Sequence, residues 1–192
     1  MNTMAGFETV RSFLATKTGA EHQALHDHPL FSKLVSEDLT ADEYMACLDA
    51  QLRAFHGIEA ARQRLGAHGE FNLTAQIAAL SGDLDQPDVP QQTLPLTTPD
   101  EALGALYVAH GSQFGRAVIR QALQTNLPDE PRTYFDMPTD AQGWRTFLEA
   151  METTDPGRSD AVLHGATVAF ALMHKEADAA RARMSGMAAP PA

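Results

Sequence analysis

The chain has 192 residues, 44% of them hydrophobic and 20% charged, with 25 acidic against 14 basic residues for a formal net charge of −11. A single domain of this length buries a core unaided, and the composition excludes wholesale disorder and a fibrous repeat. The negative balance speaks against nucleic acid or an anionic membrane surface as a partner. The one cysteine, Cys47, cannot close an internal disulfide. The opening MNTMAGFETVRSFLATK lacks the apolar stretch of a secretory signal, and no run approaches the roughly 18 apolar residues that span a bilayer. A cytoplasmic setting is expected.

Helical punctuation and a 3.6-residue period run through the chain without alternating strands, so the fold class is all-α. The first helix is predicted over residues 8–28, ending before Pro29. The second opens at the capping box Thr40-Ala41-Asp42-Glu43 and closes at Gly66. A third covers residues 73–84, followed by DQPDVPQQTLPLTTP, whose four prolines make a surface connection. Thr98-Pro99-Asp100-Glu101 then starts a helix reaching Thr125. Another begins after Thr139 and ends near Thr154, with Trp144, Phe147, Leu148 and Met151 facing inward. The last starts around Asp155-Pro156 and reaches Met184, burying Val162, Ala166, Ala169, Phe170 and Met173. Residues 1–184 form the domain and 185–192 a frayed tail.

On the first helix Phe7, Val10, Leu14, Thr18, His22 and Leu25 share about one third of the circumference, so His22 is predicted to point toward the core. Two roles stay open: a core histidine bonded to a neighbouring helix, or a metal ligand. His26 and His28 are expected to decorate the helix end. On the helix after Thr98, Gly104, Gly111 and Gly115 lie on one line beside Val108. Each glycine costs a helix about 1 kcal/mol relative to alanine, so something must approach the backbone there. A packed helix, a kink or a flat ligand would all serve.

Three segments together resemble the bacterial haem oxygenases, especially the phytochrome-associated group: Leu14-Ala-Thr-Lys-Thr18-Gly-Ala-Glu-His22-Gln-Ala-Leu25, Tyr107-Val-Ala-His-Gly111-Ser112-Gln-Phe114-Gly115, and Trp144-Arg-Thr-Phe147-Leu148. Their order and spacing match over residues 13–170. The resemblance implies a single-domain haem oxygenase-like helical bundle. It makes His22 the haem iron ligand and Gly111 and Gly115 the glycines of a distal helix passing over the haem. Ser112 falls where distal water is ordered. Haem would be both substrate and cofactor, consumed with oxygen and electrons from an external donor to give biliverdin, carbon monoxide and ferrous iron. A bacteriophytochrome could be a further partner.

One position departs from the family: Arg116 stands where a second consecutive glycine is usual. Arg116 could reach the cavity rim and pair with a haem propionate, face solvent, or block the open haem face. The competing reading is therefore a non-catalytic haem-binding, sensing or transfer protein on the same fold. A helical di-iron carboxylate enzyme or a thiamin-salvage-type protein is the other class weighed. It finds only His56-Gly-Ile-Glu59, a single reversed spacing read as a polar helix face, and Cys47, read as a buried small side chain. Propionate partners could come from Arg11, Lys17, Lys175, Arg181 or Arg183.

Overall fold

A computed structural model describes residues 9–85 and 94–187, and these form helices joined by turns, with no strand among them. The expected first helix is two: α1 (Val10–Lys17) and α2 (Gly19–His26). The break falls at Thr18, whose hydroxyl donates back to the Leu14 carbonyl at 2.9 Å and competes with helix continuation. Phe7 lies outside the described residues. α1 starts at a Thr9/Ser12 capping box, and the Glu152 carboxylate accepts from the backbone N–H of Val10 and of Arg11, both at 3.1 Å.

The long α3 (Ala41–Leu65) begins and ends where its caps predict. Thr40 and Glu43 satisfy each other's backbone N–H groups, and Gly66 takes the left-handed conformation (φ 61°) that releases the chain. Its apolar positions Tyr44, Leu48, Leu52 and Phe55 are fully buried; complete burial of such aliphatic or phenyl side chains is worth roughly 1.5–3 kcal/mol each. α4 (Thr74–Leu84) follows, and most of the proline-rich connection falls outside the described residues.

The helix predicted to run to Thr125 is interrupted. α5 (Pro99–Gly111), capped by Thr98 and Glu101, passes into a 3-10 turn over Ser112–Gly115 and resumes as α6 (Arg116–Asn126). A short α7 (Thr133–Asp136), which periodicity cannot reveal, precedes α8 (Ala141–Glu152). After a 3-10 turn at Pro156–Arg158, α9 (Ser159–Met187) continues past the expected Met184, and residues 188–192 lie outside the described part.

α9 is the axis of the bundle, packed chiefly on α5 and α3 and also on α1 and α2. Val162, Ala166, Ala169, Phe170 and Met173 are buried as predicted. Where α5 crosses α9 the backbones touch. A Cβ on Gly104 would stand 1.8 Å from the Val162 carbonyl oxygen, and one on Gly165 would stand 1.8 Å from that of Glu101. Two glycines therefore set the separation of these helices.

Candidate functional site: an open glycine floor and an accessible histidine

His22 does not enter the core. Val10, Leu14 and Thr18 are buried, but α2 buries no residue after the break at Thr18, and His22 is exposed. Its ring meets that of Phe170 on α9 in a T-shaped contact, centroid to centroid 6.3 Å at 89°. No side chain among the described residues hydrogen-bonds its imidazole. The core histidine of this region is instead His28, expected only to decorate the helix end. It is buried between the rings of Phe31 and His174. Its Nδ1 accepts from the Leu30 N–H at 3.2 Å, so Nε2 carries the proton that it donates to Asp178 at 3.1 Å. Both nitrogens of His28 are occupied, whereas those of His22 are available.

The glycine stripe divides into two functions. Gly104 is a helix crossing, but a Cβ on Gly111 or Gly115 would meet no atom of the described residues within 4 Å. Helical spacing puts Tyr107, Phe114 and Val118 on the same face as these two glycines, and Phe114 and Val118 are 52% and 63% exposed. Trp144 of α8 borders this strip, 5.7 Å from Tyr107 and 5.4 Å edge-on from Phe114, while stacking on Phe147 at 5.6 Å. Trp144 is thus partly packing, as its helical spacing suggests, and partly a wall. The result is an apolar floor with bare backbone in the middle. Burial raises the Tyr107 phenol pKa, and the Arg11 guanidinium opposes that.

Beside the floor, the 3-10 turn is braced from below. The Ser112 hydroxyl donates to the Ala109 carbonyl at 2.7 Å and lies 3.3 Å from the Tyr134 hydroxyl. That phenol also accepts from Gln51 Nε2 at 2.7 Å. Asp83 fixes α7 by accepting from the N–H groups of Thr133 and Tyr134, both at 2.9 Å. Gln113 accepts from the Asp140 N–H at 2.8 Å, tying the same turn to the start of α8.

Arg116 neither faces solvent nor reaches a rim. It is 5% exposed, its guanidinium lies 5.4 Å from the Tyr134 ring centroid, and one terminal nitrogen donates to the Pro138 carbonyl at 3.1 Å. Burial lowers its pKa, and its Nε finds no partner among the described residues. A position one residue past Gly115 turns about 100° away from the floor, so the Arg116 side chain does not cover the two glycines.

Gln51, Asp83 and Tyr134 were not singled out in the sequence, because their partners lie far away along the chain and no local pattern marks them. The competing motifs have structural employment. Glu59 is buried against Arg62 (2.7 and 2.9 Å) and accepts from the Leu73 N–H at 3.2 Å, joining α3 to the start of α4. Cys47 is buried and donates to the Leu30 carbonyl at 3.3 Å, and burial pushes its thiol pKa up. Arg183 pairs with Asp49 at 2.6 Å. Among the described residues no group of three or more histidine, cysteine and carboxylate side chains could hold a metal ion, and no helix is long and apolar enough to cross a membrane.

No family model and no curated protein sequence matches the chain. Solved structures do. The haem oxygenase from Leptospira interrogans is 17% identical with a TM-score of 0.68, the match covering 89% of this chain and 99% of that one. The NO- and CO-bound haem oxygenase from Neisseria meningitidis is 23% identical with a TM-score of 0.70, covering 90% and 92%. The chain therefore has the all-α, single-domain fold of the haem oxygenases.

Proposed function

We propose that this protein is a haem oxygenase of the biliverdin-producing kind, with the haem held between α2 and the glycine floor of α5 and α6. One observation carries the reading. The two glycines that no described residue packs against, Gly111 and Gly115, bare their backbone on a fold whose α2 carries an exposed histidine whose ring nitrogens bond no described side chain. Both features suit a flat macrocycle with a central metal: imidazole is a good ligand for iron, and a Cβ-free helix lets the ring plane approach the backbone.

In this reading His22 binds the iron, and the T-shaped contact with Phe170 keeps its ring upright. Gly111 and Gly115 form the floor of the opposite face, and Tyr107, Phe114 and Trp144 give the ring apolar contact. When bound, haem supplies the oxygen chemistry and is itself consumed, giving biliverdin, carbon monoxide and ferrous iron, with electrons from an external donor. The chain need not supply a nucleophile; its side chains orient, exclude bulk water and place Ser112 beside the reacting face. A cytoplasmic setting and a bacteriophytochrome as the recipient of biliverdin complete the proposal.

Arg116 favours the oxygenase over a non-catalytic haem carrier on the same fold, because its side chain packs on Tyr134 and not over Gly115. Hemin titration of the wild type and His22→Ala tests the ligation: the variant should lose the wild-type ferric spectrum and most of the affinity. An identical spectrum and affinity would remove His22 from the site. Supplying the hemin-loaded protein with reductant and oxygen tests the reaction, for which biliverdin is expected. Stable ferrous haem would leave the carrier reading.

A further inference from the structure

Arg116 is a buried cation that no described carboxylate neutralises. Arg53, Arg62 and Arg183 each pair with a carboxylate at 2.6–2.8 Å; among the described residues Arg116 has no such partner. It is held by the Pro138 carbonyl at 3.1 Å and by the ring of Tyr134, 5.4 Å from centroid to guanidinium. A carbonyl dipole and an aromatic face fix a cation in place without cancelling its charge. Arginine keeps its proton in such surroundings, and at 5% exposure little water screens it. Arg120, one turn further along α6, carries the same charge on an exposed side chain, where solvent and salt damp its field.

The field of this charge reaches the glycine floor through the protein interior. The Tyr134 ring beneath the guanidinium is buried, as is Gln113 of the turn that joins the two floor glycines. The same charge is felt on the other side of that turn, at His110, the residue before Gly111. Burial lowers the His110 pKa and Arg116 lowers it further, with the Phe71 hydrogen bond, Asp140 and Glu59 opposing. Asp140, the acid of this neighbourhood, is exposed and caps α8 at Gly143. We propose that Arg116 sets the electrostatic potential of the open face above Gly111 and Gly115, so that iron held there prefers small anions to neutral ligands and is more easily reduced. This rests on the proposed haem site. Glycine, usual at this position in the family the chain resembles, supplies no charge, so Arg116 adds the preference without covering the floor. Oxygen gains negative charge as electrons reach it, and a fixed buried cation favours that charge.

The test compares hemin-loaded wild type with Arg116→Gln near neutral pH; glutamine keeps a donor for the Pro138 carbonyl and loses the charge. Azide binds the ferric form as an anion, and carbon monoxide binds the ferrous form as a neutral molecule. Arg116→Gln should weaken azide about tenfold, change carbon monoxide affinity by less than about twofold, and lower the reduction potential of the bound hemin. Arg120→Gln removes an exposed charge from the same helix and should leave all three readings at their wild-type values. Arg116→Met removes the charge with an apolar side chain and carries the test if Arg116→Gln fails to fold. Azide and carbon monoxide weakened alike would mark a packing role. That result, an unmoved azide affinity and potential, or an equal effect of Arg120→Gln, overturns the proposal while leaving His22-dependent hemin binding intact. A wild type that binds no hemin through His22 overturns the haem site and this inference together.

Discussion

At the scale of single residues, His22 of α2 and His28 of the turn after it exchange the roles their sequence positions suggest. His28 ties the turn after α2 to α9 through a hydrogen-bonded pair of nitrogens, and His22 contributes a ring contact with Phe170. Removing a buried group with two satisfied partners costs about 1–3 kcal/mol, so His28→Ala should lower the melting temperature by several degrees without changing the ferric spectrum of bound hemin. His22→Ala should do the reverse, losing the spectrum at unchanged stability. Circular-dichroism melts and hemin spectra of both variants check this, and a destabilised His22→Ala would contradict its exposed position. Arg116 offers a comparable contrast. Its guanidinium over Tyr134 is worth about 1–2 kcal/mol and glycine in a helix costs about another 1. Arg116→Gly should therefore lower the melting temperature by roughly 4–12 °C and bring no gain in turnover, since the side chain does not fill the space above Gly115. Faster biliverdin formation in this variant would show that Arg116 obstructs the site after all.

At the scale of elements, glycines on one helix line separate by what lies opposite them. Gly104→Ala or Gly165→Ala drives a methyl into backbone carbonyls, which cannot turn aside, so α5 and α9 must part. A loss of about 2–3 kcal/mol is expected, in the range of overpacked cores. Gly111→Ala and Gly115→Ala meet open space and gain helix propensity, so the ligand-free protein should melt no lower while hemin binds several-fold more weakly. Melts and hemin titrations of the four variants separate packing glycines from floor glycines, and unimpaired hemin binding by both Gly111→Ala and Gly115→Ala would dismiss the floor. The sequence alone cannot make that division, because all three glycines on the line satisfy the same helical spacing. It could place α3 to the residue, because Thr40, Glu43 and Gly66 settle the helix ends locally. It could not place the break at Thr18 or the elbow at Ser112–Gly115, where the periodicity of the side chains continues although the backbone hydrogen bonding changes. Tyr134, Gln51 and Asp83 stayed hidden for the complementary reason that they meet only through tertiary contact.

At the scale of the whole molecule, a chain of net charge −11 holds its bundle together with carboxylates that must stay ionised and a histidine that must stay neutral. His110 of α5 sits against Phe147 and donates to the Phe71 carbonyl at 2.9 Å. Burial lowers its pKa, outweighing the Phe71 hydrogen bond that would raise it. A folded pKa below the unfolded one means that the unfolded chain binds the extra proton first, so stability falls as pH drops from about 6.5 toward the folded value. Glu59 and Glu101 act in a lower window. Burial alone would raise both, but Arg62 with Gln63 and the Leu73 N–H for Glu59, and Thr97, Thr98 and His164 for Glu101, leave both pKa values lowered. Their contribution is complete above the ordinary glutamate pKa of about 4.3 and is lost as pH falls through the depressed values. The melting temperature should therefore descend in two stages, the first below pH 6.5 and the second below pH 4.5. His110→Gln keeps a donor for the Phe71 carbonyl and cannot titrate, so it should flatten the first stage and leave the second. Glu59→Gln leaves Arg62 half-buried without its carboxylate partner, so it should lower the plateau near neutral pH and shrink the second stage. Melting curves of the three proteins from pH 3.5 to 8 separate the two contributions, and a first stage that survives in His110→Gln would assign it to another group.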